Sequence, residues 1–489
     1  MSIFEENIRQ LDSYVPGPEP PLREPERQLW FLKETRRLVS SRAAEAGRKL
    51  TANVHTFGCQ MNERDSEKIR GILLAAGYEL TDGEDADLCL YNTCTVRENA
   101  NMKVYGRLGL LGNYKKKNPS MIIALCGCMM QEPTAEAKVK ESYPFVDLIF
   151  GTHNLYRFAE LLYRVLSGEG PVCEIWESTD EVVEELPAQR TYPFKSGVNI
   201  MYGCNNFCTF CIVPYVRGRE RSRTPEDILR ECESLAADGV KEIMLLGQNV
   251  NSYGKTLEDP VSFAELLRRV NEVEGIGRIR FMTSHPKDLS DELILAMRDC
   301  DKVCGHLHLP LQSGSDALLK KMNRHYTRED YLRLTDRLRS AMPDLSLTTD
   351  LIVGFPGETE QDIQDTLDIV RRVGYDTAFT FIYSKRSGTP AAKMPDQIPE
   401  NVVKDRFGRL LAVVQETGRE RSSRFTGRVM PVLAEHVNEQ DPSLITGRLD
   451  CNLTVHFKGD PSLVGEITDV RLTECRGFYY LGERAAVKE

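Results

Sequence analysis

From residue 52 the apolar positions fall into short runs separated by longer amphipathic stretches, the pattern of alternating strands and helices. "NVHTF" predicts a strand, and "ERDSEKIRGILLAAG" predicts a helix that stops at Gly77. "DLCLYN", "MIIALC" and "FVDLIFG" predict three further buried strands. Such alternation implies a doubly wound parallel sheet over residues 51–176. The acidic stretch "ESTDEVVEELPAQRTYP" (177–193) reads as a linker. A second alternating series follows over 194–423, with strands at "GVNIMYG", "VKEIMLLG", "RIRFMTS", "VCGHLHLPL", "LSLTTDLIVGF" and "TAFTFIYS". Its first helix has a marked start: Thr224 as N-cap, Pro225 at the first position, then Glu226 and Asp227. Six βα units make an incomplete barrel, open along one side. From residue 424 to 489 the pattern becomes short strands and turns ("GRVMPVLAEHV", "LDCNLTVHF", "VGEITDVRLTE", "CRGFYYLGERA"), which predicts a small β-barrel. Residues 1–50, polar and Pro-rich at first, then weakly helical, read as a partly disordered extension.

Composition changes this picture little. The chain of 489 residues is 41% hydrophobic and 28% charged, as expected of a globular protein with several cores. No apolar run approaches the ~18 residues of a membrane span. The Glu-rich start "MSIFEENIRQ" lacks the pattern of a secretory signal, so a cytoplasmic location is expected. A net charge of −10 argues against blanket affinity for nucleic acid, so an RNA partner would need a local basic patch.

The 14 cysteines change it more, because clustered cysteines in a reducing compartment point to metal or redox chemistry. Cys59, Cys94 and Cys128 each follow a predicted strand, at spacings of 35 and 34 residues. In an open parallel sheet the loops after the strands' carboxyl ends converge on one crevice. Cys126 stands two positions from Cys128 in "CGC"; Cys128 is favoured because it lies beyond the strand end, with Cys126 left as an alternative. The stretch "GCNNFCTFC" (203–211) places Cys204, Cys208 and Cys211 in a C-x3-C-x2-C array after the first barrel strand, where barrel active sites lie. Three ligands are one fewer than a closed zinc or cubane site takes. Cys89, Cys126, Cys173, Cys232, Cys300, Cys304, Cys451 and Cys475 are by default small core residues.

"GCNNFCTFCIVPYVRGRERSR", with "TFGCQMNERDSE" and "NTCTVRENA", resembles the methylthiotransferase family of radical S-adenosylmethionine (SAM) enzymes, and within it the branch acting on N6-isopentenyladenosine in tRNA. The resemblance runs from residue 53 to about 487. It implies a partial barrel of radical SAM type and a TRAM-like C-terminal barrel. It also implies two [4Fe–4S] clusters: one on Cys204, Cys208 and Cys211 whose open iron seats SAM, and an auxiliary one on Cys59, Cys94 and Cys128 that binds an exogenous sulfur. One SAM would methylate that sulfur. A second would yield the radical that removes hydrogen from C2 of the adenine. The same chemistry on threonylcarbamoyl-adenosine or on an aspartate of a ribosomal protein stays open, as does a non-catalytic RNA-binding iron–sulfur protein. The partners implied are tRNA, an electron donor and a sulfur source, and nothing requires assembly beyond a monomer.

Within that frame Gly247, Gln248 and Asn249, after the second barrel strand, are candidates for the SAM ammonium group. Gln312, Ser313, Thr349 and Asp350 are further candidates on the fourth and fifth strands. Arg217, Arg219, Arg221 and Arg223 suit phosphate contacts, as does the basic stretch "NYKKKNP" (113–119). The last 66 residues carry 8 basic against 10 acidic side chains, so any grip on RNA there would come from a local face or from stacking on aromatics such as Phe478, Tyr479 and Tyr480.

Overall fold

The computed structural model describes residues 3–95, 98–184 and 186–485. The chain divides into two compact units: residues 1–192, 202–205 and 211–223 in the first, and 193–201, 206–210 and 224–489 in the second. No helix among the described residues is long and apolar enough to cross a membrane.

The first unit is built on β1 (Thr51–Thr56), β2 (Glu79–Leu80), β3 (Leu88–Thr93), β4 (Ile122–Gly127), β5 (Leu148–Phe150) and β6 (Val172–Glu174). All are parallel, in the order β2-β1-β3-β4-β5-β6. Side chains alternate across the sheet. Leu88, Leu90, Ala124 and Cys126 pack in one core with α1 (Ile3–Ser13), α2 (Glu26–Ala46), α3 (Gln60–Ala75) and α6 (Phe158–Leu166). Cys89, Tyr91, Ile123 and Leu125 face α4 (Glu98–Lys117) and α5 (Pro133–Ser142). The sheet is therefore doubly wound. β2 and β6 are too short to show periodicity and do not figure in the sequence reading.

Two expectations need correction. Residues 3–46 are not a loose extension: Leu11, Trp30, Phe31, Leu32 and Val39 lie in the first core, and each buried side chain of this size contributes about 1.5–3 kcal/mol. Arg27 fastens α2 to Glu160 through two hydrogen bonds of 3.0 and 2.8 Å. The stretch 177–192 forms no helix or strand among its described residues, yet it packs into the same unit. Lys68 donates to Glu184 at 2.7 Å, and the Gln189 amide to the Glu67 carbonyl at 2.8 Å.

Two short strands, β8 (Met201–Tyr202) and β9 (Arg221–Ser222), flank the cysteine array in sequence, with α7 (Val213–Val216) between them. The second unit carries β7 (Lys195–Asn199), β10 (Glu242–Leu246) and β11 (Arg278–Phe281) as one parallel sheet, and β12 (His306–His308), β13 (Ser346–Val353) and β14 (Thr377–Ile382) as another. A parallel bridge between Ile279 and Val303 joins them, so six parallel strands follow one another in sequence order. The connecting helices are α8 (Pro225–Ala237), α9 (Phe263–Asn271), α10 (Asp291–Asp299), α11 (Asp316–Lys321), α12 (Arg328–Ala341) and α13 (Glu360–Val373). Thr224 caps α8 as expected, accepting from the Asp227 amide at 3.3 Å.

The long α14 (Glu400–Ser422) leads to β15 (Val429–Val437), β16 (Leu444–Leu449), β17 (Thr454–Lys458), β18 (Ile467–Cys475) and β19 (Tyr479–Arg484), a closed barrel in the order β15-β16-β17-β19-β18. "LDCNLTVHF" is not one strand. Asn452, at φ 70°, turns the chain between β16 and β17, a conformation Asn tolerates better than most residues. The barrel is held to β11 by Arg278, which donates to the Arg448 and Pro431 carbonyls at 2.8 Å, and by Arg280, which donates to the Asp450 and Leu449 carbonyls at 2.7 Å.

Candidate functional site

In the first unit the chain leaves β1 for β2 on one side and returns to β3 on the other, so the strand order reverses between β1 and β3. The crevice of an open α/β sheet lies there. Cys59 follows β1, Cys94 follows β3, and Cys128 follows β4. Two glycines set these positions. Gly58 has φ 128°, and a Cβ there would stand 2.6 Å from the Cys94 Cβ; Gly127 has φ 95°, and a Cβ there would stand 2.3 Å from the Thr93 carbonyl oxygen. The left-handed turn at Gly127 also breaks strand alternation, which separates the two cysteines of "CGC". Cys126 stays in the helix-covered core, whereas Cys128 packs with Ile212 and Val216.

The triad is braced by amides. Asn62 donates to the Phe57 and Thr93 carbonyls at 3.0 Å and faces the Cys59 Sγ at 3.6 Å, while Asn92 donates to the Asn62 carbonyl at 2.8 Å. Burial pushes the Cys128 thiol up to about 11 against the pull of Arg217, and Cys94 and Cys59 push it further. Asn62, which faces the Cys59 Sγ, also accepts from Arg217, the donor to Cys128, so one hydrogen-bonded group links these two thiols. Among the described residues, no three His, Cys, Asp or Glu side chains close in on one metal ion. A cubane asks for a wider arrangement, since its three thiolates sit on three different irons.

Arg217 is not a phosphate contact. It is 5% exposed, donates from Nε to the Cys128 Sγ at 3.2 Å and from Nη2 to Asn62 at 3.1 Å, and pairs with Asp65 at 2.8 Å. Burial works against its charge, but Asp65, Cys128 and Cys59 outweigh it and hold its pKa well above the ordinary value. Arg223 is likewise buried. Arg221 is half-buried, with Nη1 on the Thr179 carbonyl and its guanidinium 5.8 Å from the Tyr202 ring centre. Arg219 alone of the four is exposed. In "NYKKKNP" Lys115 is taken by Asp147, and Lys116 and Lys117 remain exposed. On the C-terminal barrel Tyr480 is core, while Phe478 and Tyr479 reach the surface.

The C-x3-C-x2-C array is divided between the units: Cys204 and Cys211 belong to the first, Cys208 to the second. In the first, the Cys204 amide donates to the Gly218 carbonyl at 3.1 Å. Gly203, at φ 75°, lets the two segments touch, because a Cβ there would lie 2.0 Å from the Arg219 carbonyl oxygen. In the second, Asn323 holds the Asn206 and Phe207 carbonyls at 3.1 Å, and Arg324 donates from Nη1 to the Cys208 Sγ at 3.4 Å.

Beyond the ends of β10 and β11 two loops are tied by Thr283, which donates to the Gly247 carbonyl at 2.7 Å. Gly247 leaves room for Met201, since a Cβ would stand 2.6 Å from its Cγ. Gln248 lies in the same loop, and Asn249 donates to Asp288 at 2.8 Å. The Asn249 Oδ1, both ends of the Asn251 amide, the Ser284 Oγ and the His285 Nε2 are buried with no hydrogen-bond partner among the described residues. His285 is held neutral, its pKa pushed to about 2 by burial and then by Arg324 and Lys287. Such a set of orphaned donors and acceptors fits a small polar ligand. Gln312, at φ 73°, continues the pairing by donating to the Asp350 carbonyl at 2.8 Å. Asp350 shares the register face of His308 and Phe379, with its carboxylate 3.5 Å from the His308 Nε2. Thr349 points the other way and bonds the Leu309 carbonyl at 2.9 Å, and Ser313 faces Thr366. Asn62, Asp65, Ser284, His285, His308 and Arg324 escaped the sequence reading. The first two lie within the quoted "TFGCQMNERDSE", but nothing in a single sequence marks the others.

Comparison with known proteins finds relatives for each part of the chain. Residues 198–370 match the radical SAM superfamily, residues 51–151 match an uncharacterized protein family, UPF0004, and residues 423–484 match the TRAM domain. A tRNA-2-methylthio-N(6)-dimethylallyladenosine synthase of Lachnoclostridium phytofermentans is 63% identical over 445 residues, 91% of this chain and 98% of that one. The protein of the same name in Clostridioides difficile is 53% identical over 460 residues, 94% and 96% of the two chains. A radical S-adenosylmethionine methyltransferase, TsrM, of Kitasatospora setae shares the fold, with a TM-score of 0.52 at 14% identity over 70% of this chain and 75% of that one. Partial barrel and cysteine array together define a radical SAM protein, a class that works with SAM and a [4Fe–4S] cluster. More narrowly, the chain belongs to the tRNA-2-methylthio-N(6)-dimethylallyladenosine synthase family of methylthiotransferases.

Proposed function

We propose that this chain is the transferase that places a methylthio group on C2 of N6-isopentenyladenosine beside the anticodon of tRNA. The observation that carries the reading is the second thiol triad. A radical SAM protein needs Cys204, Cys208 and Cys211 for its cofactor cluster, and Cys59, Cys94 and Cys128 follow the ends of three strands that lie side by side, β1, β3 and β4, which supports a second site. The latter triad would hold a second [4Fe–4S] cluster. When bound, these groups supply the radical that takes hydrogen from the base and the sulfur that replaces it.

The chain's own residues bind and orient. His285 accepts from the Lys287 amide at Nδ1, at 3.3 Å, which puts the ring proton on Nε2 and makes that atom a donor to SAM. With Gly247, Gln248 and Asn249 on one side and Gln312 and Asp350 on the other, the strand ends offer both donors and acceptors to SAM's charged groups. Cys94 and Cys128 are buried, whereas Cys59 is exposed and leaves the auxiliary site open to an incoming sulfur. Arg219, Lys116 and Lys117, all exposed, are candidate contacts for tRNA phosphates. We read the enzyme as a cytoplasmic monomer supplied with electrons and sulfur by other molecules.

Mass spectrometry of nucleosides from cells with and without the gene tests this. Loss of the 2-methylthio-isopentenyl nucleoside, with its unthiolated precursor accumulating, is the expected result. Persistence of that nucleoside, with loss of a methylthio group from the threonylcarbamoyl nucleoside or from a ribosomal protein, would overturn the substrate.

A further inference from the structure

Each cysteine triad is served by one buried arginine that donates to one of its sulfurs: Arg217 to Cys128 at 3.2 Å, and Arg324 to Cys208 at 3.4 Å. The two differ in what surrounds the charge. Arg217 is paired with the buried Asp65 at 2.8 Å. Arg324 is 8% exposed and is held by the Tyr326 hydroxyl at 2.9 Å and the Pro310 carbonyl at 2.7 Å; it makes no ion pair with a carboxylate among the described residues. Tyr326 is in turn fixed by the Leu311 carbonyl at 2.8 Å.

We propose that Arg217 and Arg324 are positioning residues that set the reduction potentials of the two clusters unequally, the uncompensated Arg324 raising that of the SAM-binding cluster more than the Asp65-neutralised Arg217 raises that of the auxiliary one. The inference rests on the two-cluster reading above. The physical reason is that a hydrogen bond and a positive charge at a ligating sulfur favour the more negative, reduced state of a cluster, and second-shell donors are a recognised lever on its potential. In a buried site a bare guanidinium acts at nearly full strength, whereas a carboxylate 2.8 Å away cancels most of its charge and leaves only the local hydrogen bond. A one-electron reductant entering the holoenzyme is thereby directed to the cluster that must use the electron, and sulfur on the auxiliary side is spared reduction. The structure contains the asymmetry twice over, in the presence of Asp65 beside Arg217 and in the neutral hydroxyl and carbonyl that, apart from Cys208, hold Arg324.

The test is a redox titration of the anaerobically reconstituted holoenzyme, followed by electron paramagnetic resonance with iron content measured on every sample. The signal that changes on adding SAM reports the cofactor cluster, and the other signal reports the auxiliary one. Arg324→Gln is expected to lower the reduction constant of the SAM-responsive cluster about tenfold, which is about 59 mV for one electron. Arg217→Gln should lower that of the other cluster by about threefold or less. Asp65→Asn, which leaves both arginines in place, should raise the auxiliary potential. This opposite sign is one that mere loosening of the fold would not produce. Arg324→Lys should retain most of the wild-type potential. Full iron with unmoved potentials in Arg324→Gln, or an unmoved or lowered auxiliary potential in Asp65→Asn, overturns the inference. If Arg324→Gln loses its cluster, the Asp65→Asn result decides. A wild-type holoenzyme with four irons and a single signal would overturn the two-cluster reading itself.

Discussion

Gly127 shows how one residue sends two nearby thiols in different directions. At φ 95° it reverses the direction of the next side chain, so Cys126 stays in the core at 0% exposure and Cys128 turns towards Cys59 and Cys94. Cys126→Ala is therefore expected to keep full iron and to cost stability of about 1 kcal/mol or more through the cavity it leaves. Cys128→Ala should lose roughly half the iron, besides the stability lost with its buried packing and its contact to Arg217. Iron analysis separates the two, urea unfolding of the metal-free chain measures the stability lost in each, and the reverse iron pattern would make Cys126 the ligand. The candidate cysteines stood out in the sequence because Cys, placed after a strand, is a distinctive letter. The arginines were misread for the opposite reason. "YVRGRERSR" looks like a solvated basic face, and only the tertiary fold shows Arg217 turned inward to Asp65 while Arg219 points out.

Strands and helices of ordinary length were legible, because alternation of buried and exposed positions is imposed by the pleat and by the helical turn. Elements fixed by long-range contact were not. β2 has two residues and exists only because β1 offers an edge, and α2 is anchored by Arg27 on Glu160, 133 positions away. β12 and β13 carry a feature that no periodicity reveals: His306 and His308 both reach the Thr348 hydroxyl at 3.0 Å on the register face that holds Asp350. His306 is fully buried, and burial, then Arg280, pushes its pKa to about 3. The unfolded chain takes up this proton near pH 6.5 and the folded chain does not, so stability is intact above about pH 6.5 and falls as the pH drops from there towards 3. Between pH 6.5 and 5.5 the loss approaches about 1 kcal/mol for this one group. Unfolding free energies of the metal-free chain at both pH values should show a shallower dependence by that amount in His306→Gln. An unchanged slope would mean that His306 is protonated in the folded state.

Across the whole molecule, charge has to be reconciled with the substrate. The chain carries a net −10, and its C-terminal barrel carries more acidic than basic side chains, yet a tRNA is a dense array of phosphates. Binding must then rest on few phosphate contacts and on groups indifferent to salt, such as the exposed Phe478 and Tyr479. The affinity of the holoenzyme for tRNA should accordingly fall only gently with salt, because the slope of log K against log salt counts neutralised phosphates. Arg219→Ala should weaken binding across all tRNAs and reduce that slope by about one contact. Phe478→Ala should weaken binding several-fold and leave the slope untouched, since stacking on a base is worth about 1–3 kcal/mol and releases no counterions. Filter binding at four salt concentrations measures both quantities. A steep slope in the wild type, unaltered by Arg219→Ala, would move the tRNA interface away from the cysteine-array loop and on to other cations. A flat slope with no loss from Phe478→Ala would leave the barrel as a structural cap on β11, the part that Arg278 and Arg280 already give it.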